Sequence, residues 1–77
     1  MEVTVKLYNR LRDYAPGNDN TFSIRLPVGA QLNDLLQRLN IPPTVQRTIL
    51  VNGRRVDEKA TLFTGDEVVM MSPIEGG

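Results

Sequence analysis

Two glycines, Gly76 and Gly77, close the 77-residue sequence, and they carry its most distinctive chemistry. Gly-Gly is a slim tether. Without Cβ atoms its backbone can thread a narrow channel and lie close to a ligand. It ends in a carboxylate, which is inert as it stands. Adenylation by ATP would turn it into an acyl electrophile, open to attack by sulfur, thiol or amine. The bland alternative is a frayed polar end. Few other residues compete for a chemical role. The sequence has no histidine and no cysteine. That excludes Ser-His-Asp and Cys-His catalysis, a disulfide framework and cysteine-based zinc sites. The adjacent acids Asp57-Glu58 and Asp66-Glu67 make poor acid–base pairs, because neighbours on a strand point to opposite faces. Arg54-Arg55 read as a solvated hairpin rather than a basic patch.

Charge narrows the field further. Nine basic and nine acidic side chains give zero formal net charge. A balanced chain has no electrostatic footprint for nucleic acid or an anionic membrane, so neither is expected as a partner. No run approaches the roughly 20 apolar residues of a bilayer span. The N-terminus enters directly on Met1-Glu2-Val3-Thr4-Val5, without an apolar leader, and the expected compartment is the cytoplasm. What is left is a binding or carrier module, or an enzyme built from carboxylates and amines.

The elements that must position the tail follow from periodicity. Val3, Val5 and Leu7 alternate with Glu2, Thr4, Lys6 and Tyr8, which is the period of a half-buried strand. Arg10 to Asn20 is a polar loop with a turn at Pro16-Gly17-Asn18, and Leu11 and Tyr14 are spaced to anchor a short helical turn. Phe22, Ile24 and Leu26 alternate in a second strand, the hairpin partner of the first. Leu32, Leu35, Leu36 and Leu39 then fall at i, i+3, i+4 and i+7, the stripe of one helix. Asp34 sits in its first turn, where the helix dipole favours an anion. Gln31 stands where a Ser, Thr, Asp or Asn cap belongs, so the start is weakly specified. Asn40 and Pro42-Pro43 end the helix. Ile49-Leu50-Val51, Asn52-Gly53 and Arg54-Arg55-Val56 form a hairpin with a type I′ turn signal. Leu62 and Phe63, in the connection that follows, are expected to dip into the core. Glu67 to Met71 is the last strand. A single domain of 1–77 results, with a body over 1–71 and a tail over 72–77.

That order, two strands, a helix and three strands, makes an α+β domain with about five strands on one main helix. The helix is a crossover, so the first and last strands can pair in parallel at the sheet centre. This is the ubiquitin-like β-grasp arrangement. In it the last strand is odd. Val68 and Met70 face one way, Val69 and Met71 the other, and both sets are apolar, although an outer face should be wet. Tyr8 lies opposite the core set of the first strand. If the two strands are neighbours, Tyr8, Val69 and Met71 form an exposed apolar patch of the kind that marks a protein interface. Otherwise loop residues such as Leu11 or Ile74 cover it.

The terminal block, Gly65-Asp66-Glu67-Val68, an apolar strand, Pro73, Ile74, Glu75 and Gly76-Gly77, resembles the ubiquitin-like sulfur carriers. The resemblance is closest to the MoaD-like small subunit of molybdopterin synthase, with the ThiS-like thiamine carrier as sibling. It extends over the opening strand, Leu26-Pro27-Val28-Gly29-Ala30 and Val51-Asn52-Gly53. The chain departs from the pattern where Ser72-Pro73 stands for two prolines and where Gln31 replaces a Thr or Ser. The resemblance implies that a MoeB/ThiF-like adenylyltransferase consumes ATP to adenylate Gly77, which then becomes a thiocarboxylate. Gly76 would keep the tether thin. Tyr8, Val69, Met71 and Ile74 would dock that enzyme and then a MoaE-like large subunit, with no cofactor bound. The chain would be a sulfur-carrying subunit in molybdopterin formation rather than a stand-alone catalyst. The same activated Gly77 would also suit a thiamine-pathway carrier, or a protein modifier joined to lysine. A plain interaction domain is the third reading.

Overall fold

The computed structural model of the chain describes residues 1–73. Strand β1 runs Glu2–Tyr8, a 3-10 helix spans Asn9–Tyr14, and β2 is Thr21–Arg25. Helix α1 is Leu32–Arg38, and β3 (Thr48–Val51), β4 (Arg54–Arg55) and β5 (Glu67–Met71) complete the order. The sheet order is β2-β1-β5-β3-β4. β1 and β5 are parallel neighbours at its centre, and the other pairs are antiparallel. This is the mixed five-stranded β-grasp that the periodicity predicts.

One face of the sheet is covered by α1. Val3, Val5 and Leu7 of β1, Val68 and Met70 of β5, and Leu32, Leu35, Leu36 and Leu39 form one core. Burying each leucine side chain stabilises by roughly 1.5–3 kcal/mol, so the four-leucine stripe is a large share of what holds so small a domain. Leu11 is also fully buried, and the half-buried Tyr14 packs against the same core. The stretch read as a loop thus contains a 3-10 helix pinned by these two residues.

The helix start departs from its sequence signals, whereas the end follows them. Gln31 is the N-cap residue, but Asp34 secures the start by accepting the Gln31 backbone N–H at 2.7 Å. Two more orphan donors of the first turn, the N–H groups of Leu32 and Asn33, donate to the carbonyls of Ala60 and Glu58 at 2.9 and 2.8 Å. Backbone from a distant connection therefore satisfies what a local cap would. At the C-terminus Asn40 takes φ 59°. Ile41 N–H donates to the Leu36 carbonyl and Asn40 N–H to that of Gln37, both at 3.0 Å. This is a Schellman closure, with buried Ile41 as its apolar seal.

The Asn52-Gly53 turn has φ 52° and 81°, the paired positive angles of a type I′ hairpin. Leu62 enters the core as expected, but Phe63 does not: it is 65% exposed. Its N–H donates to the Asp66 carboxylate at 2.8 Å, which ties its backbone into the turn before β5. Side chains alternate in extended backbone, so fixing Leu62 inward sends Phe63 outward.

Candidate functional site

The outer face of the sheet is assembled by strand register. Tyr8 pairs with Met71, Lys6 with Val69 and Thr4 with Glu67 across β1 and β5. Across β5 and β3, Thr48 pairs with Met71 and Leu50 with Val69. Paired residues share a face. Tyr8, Val69 and Met71 therefore come together opposite the helix, as their spacing predicts. Leu50 joins them. Three consecutive apolar residues, Ile49-Leu50-Val51, carried the signal: if Ile49 and Val51 face the core, the period of two sends Leu50 outward. Val69, Met71 and Leu50 are half-buried and Tyr8 is 40% exposed. Leu11 lies in the core and is no lid for this patch. Ile74 lies outside the described residues, as do Gly76 and Gly77.

Charge frames the patch. Lys6 Nζ meets Glu67 Oε2 at 3.3 Å on the same face. Arg55 of β4 pairs with Leu50 and extends the row. An apolar centre with a polar rim is the common anatomy of a protein interface.

At one edge of the patch the chain leaves the sheet. Ser72 follows Met71 and is itself buried. Its carbonyl accepts the Asn9 Nδ2–H at 3.0 Å, and its Oγ accepts the Arg10 backbone N–H at 3.1 Å. Ser72 therefore belongs to the body by its contacts, although it reads as tail in sequence. Pro73 is exposed and borders a groove lined also by Arg10, Tyr14, Val45 and Gln46.

The other candidates resolve into structural roles. Asp66 accepts hydrogen bonds from Phe63 N–H and Asn52 Nδ2. Glu58 pairs with the largely buried Arg47 at 2.9 Å. That arginine also donates to the carbonyls of Pro42 and Val45, both at 3.0 Å. Among the described residues no cluster of three or more acidic side chains is placed to hold a metal ion. Nor is any helix there long and apolar enough to cross a membrane.

Comparison with known proteins adds to this geometry. The ThiS family model matches residues 5–77. No functionally curated protein matches the chain. Among solved structures the chain is similar to SAMP1 of Haloferax volcanii, at 21% identity over 100% of both chains and a TM-score of 0.82. It is also similar to a putative molybdopterin converting factor subunit 1 from Pyrococcus furiosus. That pair shares 28% identity over 95% of this chain and 98% of that one, with a TM-score of 0.78. A third likeness is to the Helicobacter pylori complex of molybdopterin-converting factor subunits 1 and 2, at 22% identity, full coverage of both chains and a TM-score of 0.63.

Proposed function

This chain belongs to the ThiS family, of the ubiquitin-like sulfur-carrier type, and from that premise we propose that it carries sulfur as a thiocarboxylate on Gly77 for molybdopterin formation. The observation that carries the reading is the family match over residues 5–77, which includes Gly76-Gly77. A carboxylate oxygen of Gly77 attacks the α-phosphorus of ATP. A P–O bond forms and pyrophosphate leaves. A hydrosulfide-equivalent nucleophile then attacks the carbonyl carbon, the bond to AMP breaks, and a proton is lost as the thiocarboxylate forms. No group in the body has to act as acid or base. Its work is to present the tail and to be recognised.

Recognition falls to Tyr8, Leu50, Val69 and Met71, with Ile74 beyond them. A MoeB/ThiF-like adenylyltransferase docks there first, and a MoaE-like large subunit afterwards. The Helicobacter pylori subunit 1, found with subunit 2, supports the second partner. The same intermediate supports a second reading favoured by the likeness to SAMP1: a lysine amine replaces sulfur as nucleophile, and the chain becomes a protein modifier.

Deletion of Gly77 tests both readings. It draws the carboxylate back by up to about 3.3–3.6 Å of tether, a whole bond-forming distance. Partner-dependent exchange of pyrophosphate into ATP is expected to vanish, with the melting temperature unchanged. Exchange by the truncated chain near the full-length rate would overturn the assignment of Gly77. Intact mass of the protein from its native cell then separates the fates. A sulfur-for-oxygen replacement marks the carrier, and conjugates on denaturing gels mark the modifier. A thiazole precursor accepting the sulfur in place of a pterin would redirect the pathway to thiamine.

A further inference from the structure

The parallel ladder of β1 and β5 ends at the pair Tyr8 and Met71. Beyond it β1 turns away. Asn9 takes φ 58° and starts the 3-10 helix, and Ser72 follows the end of β5. Ser72 is left where β1 no longer supplies a strand partner. Side-chain chemistry replaces that partner. Asn9 donates its carboxamide N–H to the Ser72 carbonyl at 3.0 Å, and Arg10 donates its backbone N–H to Ser72 Oγ at 3.1 Å. Both bonds reach back to one residue across 63 and 62 positions. Ser72 is only 7% exposed, so water competes weakly for either bond.

Two features make this arrangement directional rather than merely adhesive. A single hydrogen bond leaves rotation about its axis, and a second bond to a different atom of the same residue removes it. Pro73 follows directly. It has no N–H to extend the ladder, its own φ is fixed, and it biases Ser72 toward extended backbone. The five residues from Pro73 to Gly77 span at most about 16–18 Å. A change in the direction of the root shifts the whole volume that so short a tail can reach, and a near-attack geometry needs the reacting atoms within about 3–3.5 Å.

We propose that Asn9 and Ser72 are positioning residues for the activation of Gly77, a polar clamp that sets the direction in which the tail leaves the sheet. The inference rests on Gly77 being the acyl site. It is tested on the full chain with the MoeB/ThiF-like adenylyltransferase that activates it, by pyrophosphate exchange over a range of carrier concentrations. Ser72→Ala removes the Oγ acceptor. Asn9→Gly removes the carboxamide while suiting the positive φ. Ser72→Thr keeps the hydroxyl. The clamp predicts that Ser72→Ala and Asn9→Gly each lower kcat about tenfold with KM for the carrier within about twofold, because the docking patch is intact and the aim is lost. It also predicts that Ser72→Thr restores most of kcat. A merely structural role shrinks the folded fraction instead, so KM rises and kcat holds; that pattern overturns the clamp. Unchanged kinetics in both variants overturns it too, while wild-type exchange lost with Gly77 keeps the carrier reading. Wild-type exchange that persists without Gly77 overturns both.

Discussion

The two ends of β5 are built from the same device, used to different extents. At the entrance, Asn52 sits at φ 52°; at the exit, Asn9 sits at φ 58°. Each asparagine uses a backbone angle that most residues avoid, and each turns its side chain toward the chain at that end of β5. The entrance is redundant. Asn52 Nδ2 donates to Asp66 Oδ1 and Glu67 N–H to Asn52 Oδ1, both at 2.9 Å. Asn52 N–H donates to the Glu67 carbonyl at 2.8 Å, and Gly65 N–H to that of Glu2 at 2.9 Å. Thr4 N–H adds a bond to the Asp66 carbonyl at 2.9 Å. At the exit, two bonds from Asn9 and Arg10 converge on Ser72. A network with many bonds holds a turn shut. Two bonds on one residue hold a direction. On the proposed reading, the entrance serves stability and the exit serves presentation.

Substitutions can break this division. Asp66→Ala removes the acceptor of two hydrogen bonds at the entrance. It is expected to cost about 1–3 kcal/mol in urea unfolding while leaving partner affinity unchanged. Weakened partner binding by the folded variant would end the separation of roles. Met71→Glu, at the exit, is expected to do the reverse. A charge placed in the apolar row weakens adenylyltransferase binding about tenfold, roughly 1.4 kcal/mol, with the unfolding midpoint held. Calorimetric titration measures the first quantity and denaturant melts the second. Unchanged affinity would remove the patch from the interface. Gly53→Ala sharpens the comparison at smaller scale. Nothing lies within 4 Å of the added Cβ, but φ is +81°. The cost is conformational alone, about 1 kcal/mol. A larger loss would show that the added Cβ meets a neighbour at the hairpin tip.

How much of this was legible depended on whether the signal was local. Leu32, Leu35, Leu36 and Leu39 announced their helix by spacing, and all four are buried. Asn52-Gly53 announced its turn by residue type, and the angles agree. The alternation in β1 and β5 placed Tyr8, Val69 and Met71 on one face. Part of what was missed is non-local, and part is local alternation at Leu50 and Phe63. The start of α1 looked weak because Gln31 is a poor cap, and its donors are satisfied by Glu58 and Ala60, from a separate segment. Phe63 looked like core by hydrophobicity, but its direction is set by Leu62 beside it. Ser72 looked like tail because its partners, Asn9 and Arg10, lie at the other end of the sequence. No local pattern encodes a hydrogen bond across that distance.

The parallel pairing of the first and last strands also has a kinetic consequence. β5 lies between β1 and β3, so the middle of the sheet is empty until the last strand arrives. The β1–β2 hairpin and the helix can form from nearby residues. The β1–β5 ladder must close a loop of about sixty residues, at roughly 4 kcal/mol of chain entropy beyond a constant. Contacts this distant in sequence slow folding. During synthesis, β1 and β3 would wait with bare edges that can pair wrongly with other chains. The body is complete only once Met71 has been made. Since Tyr8 and Met71 form one pair of that late ladder, the outer apolar row assembles in the same step that places Ser72.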